Sequence, residues 1–322
     1  DINVLSIGQV LVIPVPTPSK IAPGFKIIPD SELVRSPGTI TFDITEFVNS
    51  QPGYLSHHEE DVEGRLMTGI EIVSEISRDY SVNPRLLLAV IEYQSGWLTN
   101  SNPRTVSMQY PLGWKDSNRE GLYKQLAWAA NELNRGFYQW RVGGVATWTL
   151  ADGTIVPIDR TINAGTAGVQ NFFSKLYDGA TWQKIVNENG FITTYEKFFD
   201  YPFRYSIEPI VPPGLTQPTL QLPFEPGLDW AFTGGPHGSW GDGSAWGALD
   251  FAPPGDALGC ILSDAWIVAM TEGTVIRAEN GAVVQELDGD GLEQTGWTIL
   301  YMHIESRDRV KVGTYLKPGD RI

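Results

Sequence analysis

The sequence predicts an α+β chain of more than one domain, a helical part followed by an antiparallel all-β part. Three observations predict it. Apolar residues recur at three-to-four spacing between about residues 62 and 199, which is the helical period. From about Phe224 the texture changes to short β-branched and aromatic segments punctuated by Gly. Between the two lies a Pro-rich stretch, and 322 residues suffice for two domains at roughly 100 to 200 residues each.

Composition narrows the function classes. With 42% hydrophobic and 19% charged residues and a mean hydropathy of −0.15, the chain has the make-up of a soluble globular protein. No apolar run approaches the roughly 20 residues of a membrane span. The net charge of −15 argues against a nucleic-acid partner, because phosphate binding needs clustered Lys and Arg. An acidic, Trp-rich and Gly-rich surface suits neutral sugars or basic peptides better. Cys260 stands alone, so neither a disulfide framework nor a thiolate metal site can be built within the chain. No signal peptide is visible.

In chain order, Asn3 to Pro14 reads as a Gly8-Gln9 turn and a short strand ended by Pro14. Prolines at 16, 18, 23, 29 and 37 mark residues 17–40 as a Pro-rich linker or an extended strap. In the helical domain, 41–205, Leu66, Ile70, Val73 and Ile76 place a helix over Val62 to Tyr80. Asn83 can cap a helix opening at Pro84, and Gly121 to Trp140 is a long amphipathic stretch. Thr166 to Tyr177, Thr181 to Asn187 and Thr194 to Phe199 are further helical candidates. A second linker, 206–223, precedes a β domain, 224–322. Its strands are expected at Trp266 to Met270, Gly273 to Ala278, Ala282 to Leu287, Trp297 to His303 and Val310 to Leu316.

The Gly-Gln turn, apolar strand and terminal Pro of residues 1–16 resemble the end of a LysM module. The stretch from Tyr80 through Ala89-Val-Ile-Glu-Tyr-Gln-Ser-Gly-Trp97 resembles the catalytic helix of lysozyme-like transglycosylases, and Asn163-Ala-Gly-Thr is similar to a second motif of that superfamily. In that alignment Gln94-Ser95 falls on the Glu-Ser pair, and an amide cannot protonate a glycosidic oxygen. Glu92, two residues earlier, lies about 200° around the helix. Either Glu92, or an acid such as Glu71 or Glu75, was recruited as the glycan-side acid, or the domain binds glycan or acts as a spacer. Trp97, Tyr110, Trp114, Tyr123, Trp128, Tyr138 and Trp140 could stack on sugars or form core. His57-His-Glu-Glu-Asp61 reads as a metal cluster or as a solvated pre-helix stretch.

The strongest constellation is Gly234-Gly-Pro-His-Gly-Ser-Trp-Gly-Asp-Gly-Ser-Ala-Trp-Gly-Ala-Leu-Asp250, followed by Glu272-Gly-Thr-Val, Tyr301-Met-His and Val312-Gly-Thr-Tyr-Leu-Lys-Pro-Gly-Asp-Arg-Ile322. This order resembles the LytM-type (M23) zinc endopeptidases that cut peptidoglycan cross-bridges. The resemblance implies His237 and Asp250 as zinc ligands and His303 as a catalytic residue beside the metal-bound water or the oxyanion. Most of that family spaces its ligands His-x-x-x-Asp, a position held here by Trp246, so the match is to the staphylolysin-like or β-lytic subgroup. The resemblance further implies a third ligand from a His-x-His strand beyond residue 322, so the chain is expected to be truncated at both ends, with a two-ligand half-site. Cys260 is expected to pair with a cysteine outside it. Asp288-Gly-Asp-Gly-Leu-Glu lacks the 12-residue calcium-loop pattern and reads as an acidic hairpin tip.

These readings together predict an extracellular or cell-wall protein whose partners are peptidoglycan peptides and glycan. The leading function is a zinc endopeptidase. The rivals are a non-catalytic wall-binding protein with degenerate hydrolase domains, and a lysozyme-like glycan-cleaving enzyme.

Overall fold

A computed structural model describes residues 21–255, 259 and 261–322, so the LysM-like segment and Cys260 lie outside the described residues. The architecture is α+β, helices first and antiparallel sheets after.

The helical part begins with a strap rather than a free linker. From Ala22 to Val34 it runs into the core, where Ile27, Ile28 and Leu33 are completely buried. Asp30 secures it by accepting hydrogen bonds from the Asn163 side chain at 2.8 Å and from Gly165 N–H at 2.7 Å. After α1 (Ile44–Asn49) comes a hairpin of β1 (Glu59–Val62) and β2 (Arg65–Thr68). The expected helix from Val62 is thereby corrected. Glu63 and Gly64 both take positive φ, and the two-residue turn they form pairs Val62 with Arg65. The helix α2 is Gly69–Asp79 instead, opened by Thr68 and Glu71 in a reciprocal capping box.

Asn83 caps α3 (Pro84–Ser95) by accepting from Arg85 N–H at 2.9 Å, as its position before Pro84 predicts. Short α4 (Thr105–Gln109) leads to α5 (Leu122–Arg141), the longest helix among the described residues, which buries Leu126, Ala129, Ala130, Leu133 and Phe137. A small hairpin of β3 (Thr147–Thr149) and β4 (Ile155–Pro157) precedes α6 (Ala164–Ser174), α7 (Gly179–Ile185) and α8 (Phe191–Phe199).

Among the described residues the β part has two sheets. The strands β5 (Ala231–Gly238) and β6 (Trp246–Ala252) form a separate antiparallel pair. The strands β7 (Gly273–Glu279), β8 (Ala282–Glu286), β9 (Thr298–Met302) and β10 (Tyr315–Leu316) form one sheet in the order β10-β7-β8-β9. Its core is small: Ala269, Val275, Val283, Tyr301, Leu316 and Ile322. Ion pairs tie it to the helical part, Arg78 to Glu279 at 2.8 Å and Arg35 to Glu293 at 3.9 Å.

Candidate metal centre

Gly234 stands opposite Asp250 and His237 opposite Ala248, so three steps on β5 match two on β6. In a regular strand Gly234 and His237 would point to opposite faces. The extra residue of the bulge reverses that parity and turns His237 to the face of Asp250. The two side chains meet, with His237 Nε2 2.6 Å from Asp250 Oδ2. Glycine at 234 leaves room for this contact, because a Cβ there would lie 2.9 Å from that same carboxylate oxygen and make the Asp250 side chain shift.

The other ring nitrogen is seated as well. His237 Nδ1–H donates to the Gly238 carbonyl at 2.9 Å, which directs Nε2 at the carboxylate. The imidazole pKa is raised, first by the Gly238 carbonyl and then by Asp250. Both side chains are about half exposed, 45% and 52%, so a further ligand or a peptide can reach them. The pair fits a zinc ion in its chemistry: a neutral imidazole and a carboxylate are ordinary zinc ligands. Ligand atoms of a tetrahedral zinc lie about 3.3 Å apart, so the hydrogen-bonded atoms need separate by less than about 1 Å to admit the metal.

The loop between these strands rests on α5. Asp242 pairs with Arg135 and accepts from Asn131 Nδ2 at 2.8 Å, while Gly243 N–H donates to Asn131 Oδ1 at 2.7 Å. The Arg135 guanidinium, with Asn131, brings the Asp242 carboxyl down to about 2. Nothing in the sequence marked this contact, because the partners are more than 100 residues apart.

His303 follows β9 with φ at +61° and its ring exposed, and among the described residues no hydrogen bond joins it to His237 or Asp250. Two residues before it, Tyr301 is an anchor. Its hydroxyl donates to Gln285 at 2.9 Å and accepts from Met270 N–H at 2.9 Å, and burial pushes its pKa up to about 12.

The candidate residues of the helical part have structural partners. Glu92 accepts from Leu98 N–H at 2.9 Å, Thr99 N–H at 3.2 Å and the Thr99 hydroxyl at 2.6 Å, closing the turn after α3. Gln94 accepts from the Tyr177 hydroxyl at 2.6 Å. Glu71 belongs to the α2 capping box, and Glu75 pairs with Arg65 at 2.5 Å. In the His57 cluster, Glu60 caps α5 by accepting from Leu122 and Tyr123 N–H at 2.7 and 2.8 Å, and it meets His58 at 3.0 Å. Burial pushes the Glu60 pKa upward, but the hydrogen bonds from His58, Tyr123 and Leu122 outweigh it, so the value is lowered. Of the aromatic set, Trp97 and Trp128 are core, and Trp114 stacks on Trp128 at 4.9 Å. Tyr123, Tyr138 and Trp140 pack on the same core, partly buried.

Residues 26–211 match the family model described as LasA, N-terminal domain. That stretch is more than half of the chain, and the chain therefore belongs to the LasA family of staphylolytic peptidases. The match ends before the β part. No curated protein and no solved structure matches the chain. Among the described residues no helix is long and apolar enough to cross a membrane.

Proposed function

We propose that the protein is an extracellular or cell-wall zinc endopeptidase of the LytM (M23) type that hydrolyses cross-bridge or stem peptides of peptidoglycan. The observation that supports it most directly is the His237–Asp250 contact at 2.6 Å, with the second imidazole nitrogen tied to a backbone carbonyl. When bound, zinc would supply a Lewis acid and a water of lowered pKa for attack on a peptide carbonyl.

His237 and Asp250 would hold the ion. The Gly238 carbonyl sets the imidazole tautomer, and Asn131 and Arg135 steady the loop that joins the ligand strands. His303 is proposed as a proton carrier or oxyanion donor on the exposed end of β9. The chain divides, in this reading, into a helical domain at 41–205, with the 22–34 strap built into its core, and a β domain at 224–322, joined by the Pro-rich stretch 206–223. The helical domain serves as a wall-binding or positioning unit, because the three donors on Glu92 leave it no free role as a glycan-side acid.

The test is zinc content and release of new amino groups from purified peptidoglycan, comparing the natural full-length protein with His237→Ala and Asp250→Asn. One zinc with hydrolysis in the parent, and neither in the variants, supports the proposal. A parent without zinc that still sediments with peptidoglycan is a binding module and overturns it.

A further inference from the structure

The hairpin connecting β8 to β9 carries three carboxylates outside the candidate zinc site. Glu286, Asp288 and Asp290 bring oxygen atoms within 4.8 Å of one another. The sequence reading saw only the acids of the loop; Glu286, at the end of the preceding strand, completes the group. It is 1% exposed, and burying a carboxylate is unfavourable unless every oxygen finds a counter-charge or a donor. One oxygen is provided for: Glu286 Oε1 accepts from Asp288 N–H and, at 2.7 Å, from Gly289 N–H. The other, Glu286 Oε2, is buried with no N–H or hydroxyl donor, and the side chain that meets Glu286 is another acid, Asp288, whose pKa is pushed up to about 6 first by its hydrogen bond with Glu286.

The surroundings hold the acids together instead of spreading them. At position 296, with φ at +60°, a Cβ would lie 1.9 Å from Asp288 Oδ2, so glycine there makes room for the carboxylate. Asp290 is fixed by Leu292 N–H at 2.8 Å and the Thr295 hydroxyl at 2.5 Å. Among the described residues no Lys or Arg pairs with any of the three. The nearby basic residues Arg277 and Arg35 are directed at Glu293.

We infer that this loop is a binding site for a hard divalent cation, calcium, held by Glu286 Oε2, Asp288 and Asp290. Three carboxylates with no imidazole or thiolate are an oxygen-only donor set, which suits calcium and not zinc. Two of the three ligands are exposed, so waters complete the coordination and the affinity falls in the range of extracellular modules, on the order of 10⁻⁴ to 10⁻³ M. The cation tightens the turn on which β8 and β9 pair, and β9 leads directly to His303.

Calorimetric titration of CaCl2 into the metal-free chain at pH 7.5, with thermal unfolding at matched calcium levels, tests the site. One saturable site and a calcium-dependent rise in Tm are expected. Asp290→Asn should weaken binding at least tenfold, as should Glu286→Gln if it folds. His237→Ala should leave calcium binding unchanged, which separates this site from the candidate zinc centre. No binding heat and no shift in Tm at millimolar calcium would overturn the inference, because the acids would then be neutralised by a shared proton. Calcium binding that survives Asp290→Asn would also overturn it.

Discussion

Removing the charge of Glu32 should unlock the strap that closes the helical core. Glu32 is completely buried and accepts from Arg85 Nη2 at 2.9 Å, Arg85 Nε at 3.2 Å, Asn83 Nδ2 at 3.0 Å and the Tyr195 hydroxyl at 2.5 Å. These bonds join the strap to the start of α3 and to α8. Glu32→Gln preserves the shape but leaves the Arg85 guanidinium, 7% exposed, without its counter-charge. Breaking a buried pair from one side costs about 3–5 kcal/mol. At about 2–4 °C per kcal/mol for a unit of this size, Tm should fall by roughly 6–20 °C. Thermal unfolding followed by far-UV circular dichroism reads the change. A Glu32→Met/Arg85→Met double variant should recover most of it, since apolar residues of similar volume replace buried pairs at little net cost. A loss under about 1 kcal/mol for Glu32→Gln, the size of a surface pair, would refute the reasoning.

Further outcomes are expected elsewhere. Glu92→Gln should lower stability by about 1–2 kcal/mol through weakened capping of the turn after α3, without altering hydrolysis of peptidoglycan; loss of a glycan-cleaving activity in that variant would restore Glu92 as an acid. Gly234→Ala should push the Asp250 carboxylate aside and weaken zinc binding by tenfold or more with the helical core intact, as measured by competition with a chromogenic chelator. Because the folded-state pKa of His237 is raised above the usual 6.5, the stabilisation from its bonds to the Gly238 carbonyl and to Asp250 is complete below pH 6.5 and disappears as pH rises through the raised value. Zinc must displace that proton, so zinc affinity should climb across the same interval, and an NMR titration of the ring with Asp250→Asn as reference checks the direction. Arg135→Ala should cost no more than about 1 kcal/mol through Asp242, which is 76% exposed, with a further loss because Glu132, 10% exposed, gives up its Arg135 partner, and it should raise hydrogen exchange in the 239–245 loop.

The helices α3, α5, α6, α7 and α8 were legible because their signals are local, whereas the five-residue α4 was not expected. Asn83 before Pro84 and the apolar period of α5 each lie within a turn or two of the residues they organise. The largest misplaced start, at Val62, came from reading Leu66 as the first apolar contact of a helix, whereas Glu63-Gly64 makes a two-residue hairpin turn and leaves Leu66 66% exposed; α6, α7 and α8 begin two or three residues earlier than expected. The Pro-rich strap hid its role for a similar reason. Prolines mark irregular backbone, but they do not reveal that Ile27, Ile28 and Leu33 are the buried face of it.

The sequence by itself determined the order of helical and β parts, most helix positions, and the glycine-rich stretch that carries His237 and Asp250. Composition and short-range periodicity suffice for these, since both depend on neighbours within a few residues. Only the tertiary structure decided which polar groups meet. The bulge that turns His237 toward Asp250, the α5 side chains that hold the loop between them, and the orphaned oxygen of Glu286 all depend on strand register and on contacts between distant segments. A one-residue change of register inverts a strand's faces, so parity of this kind is settled by packing and pairing of the whole chain.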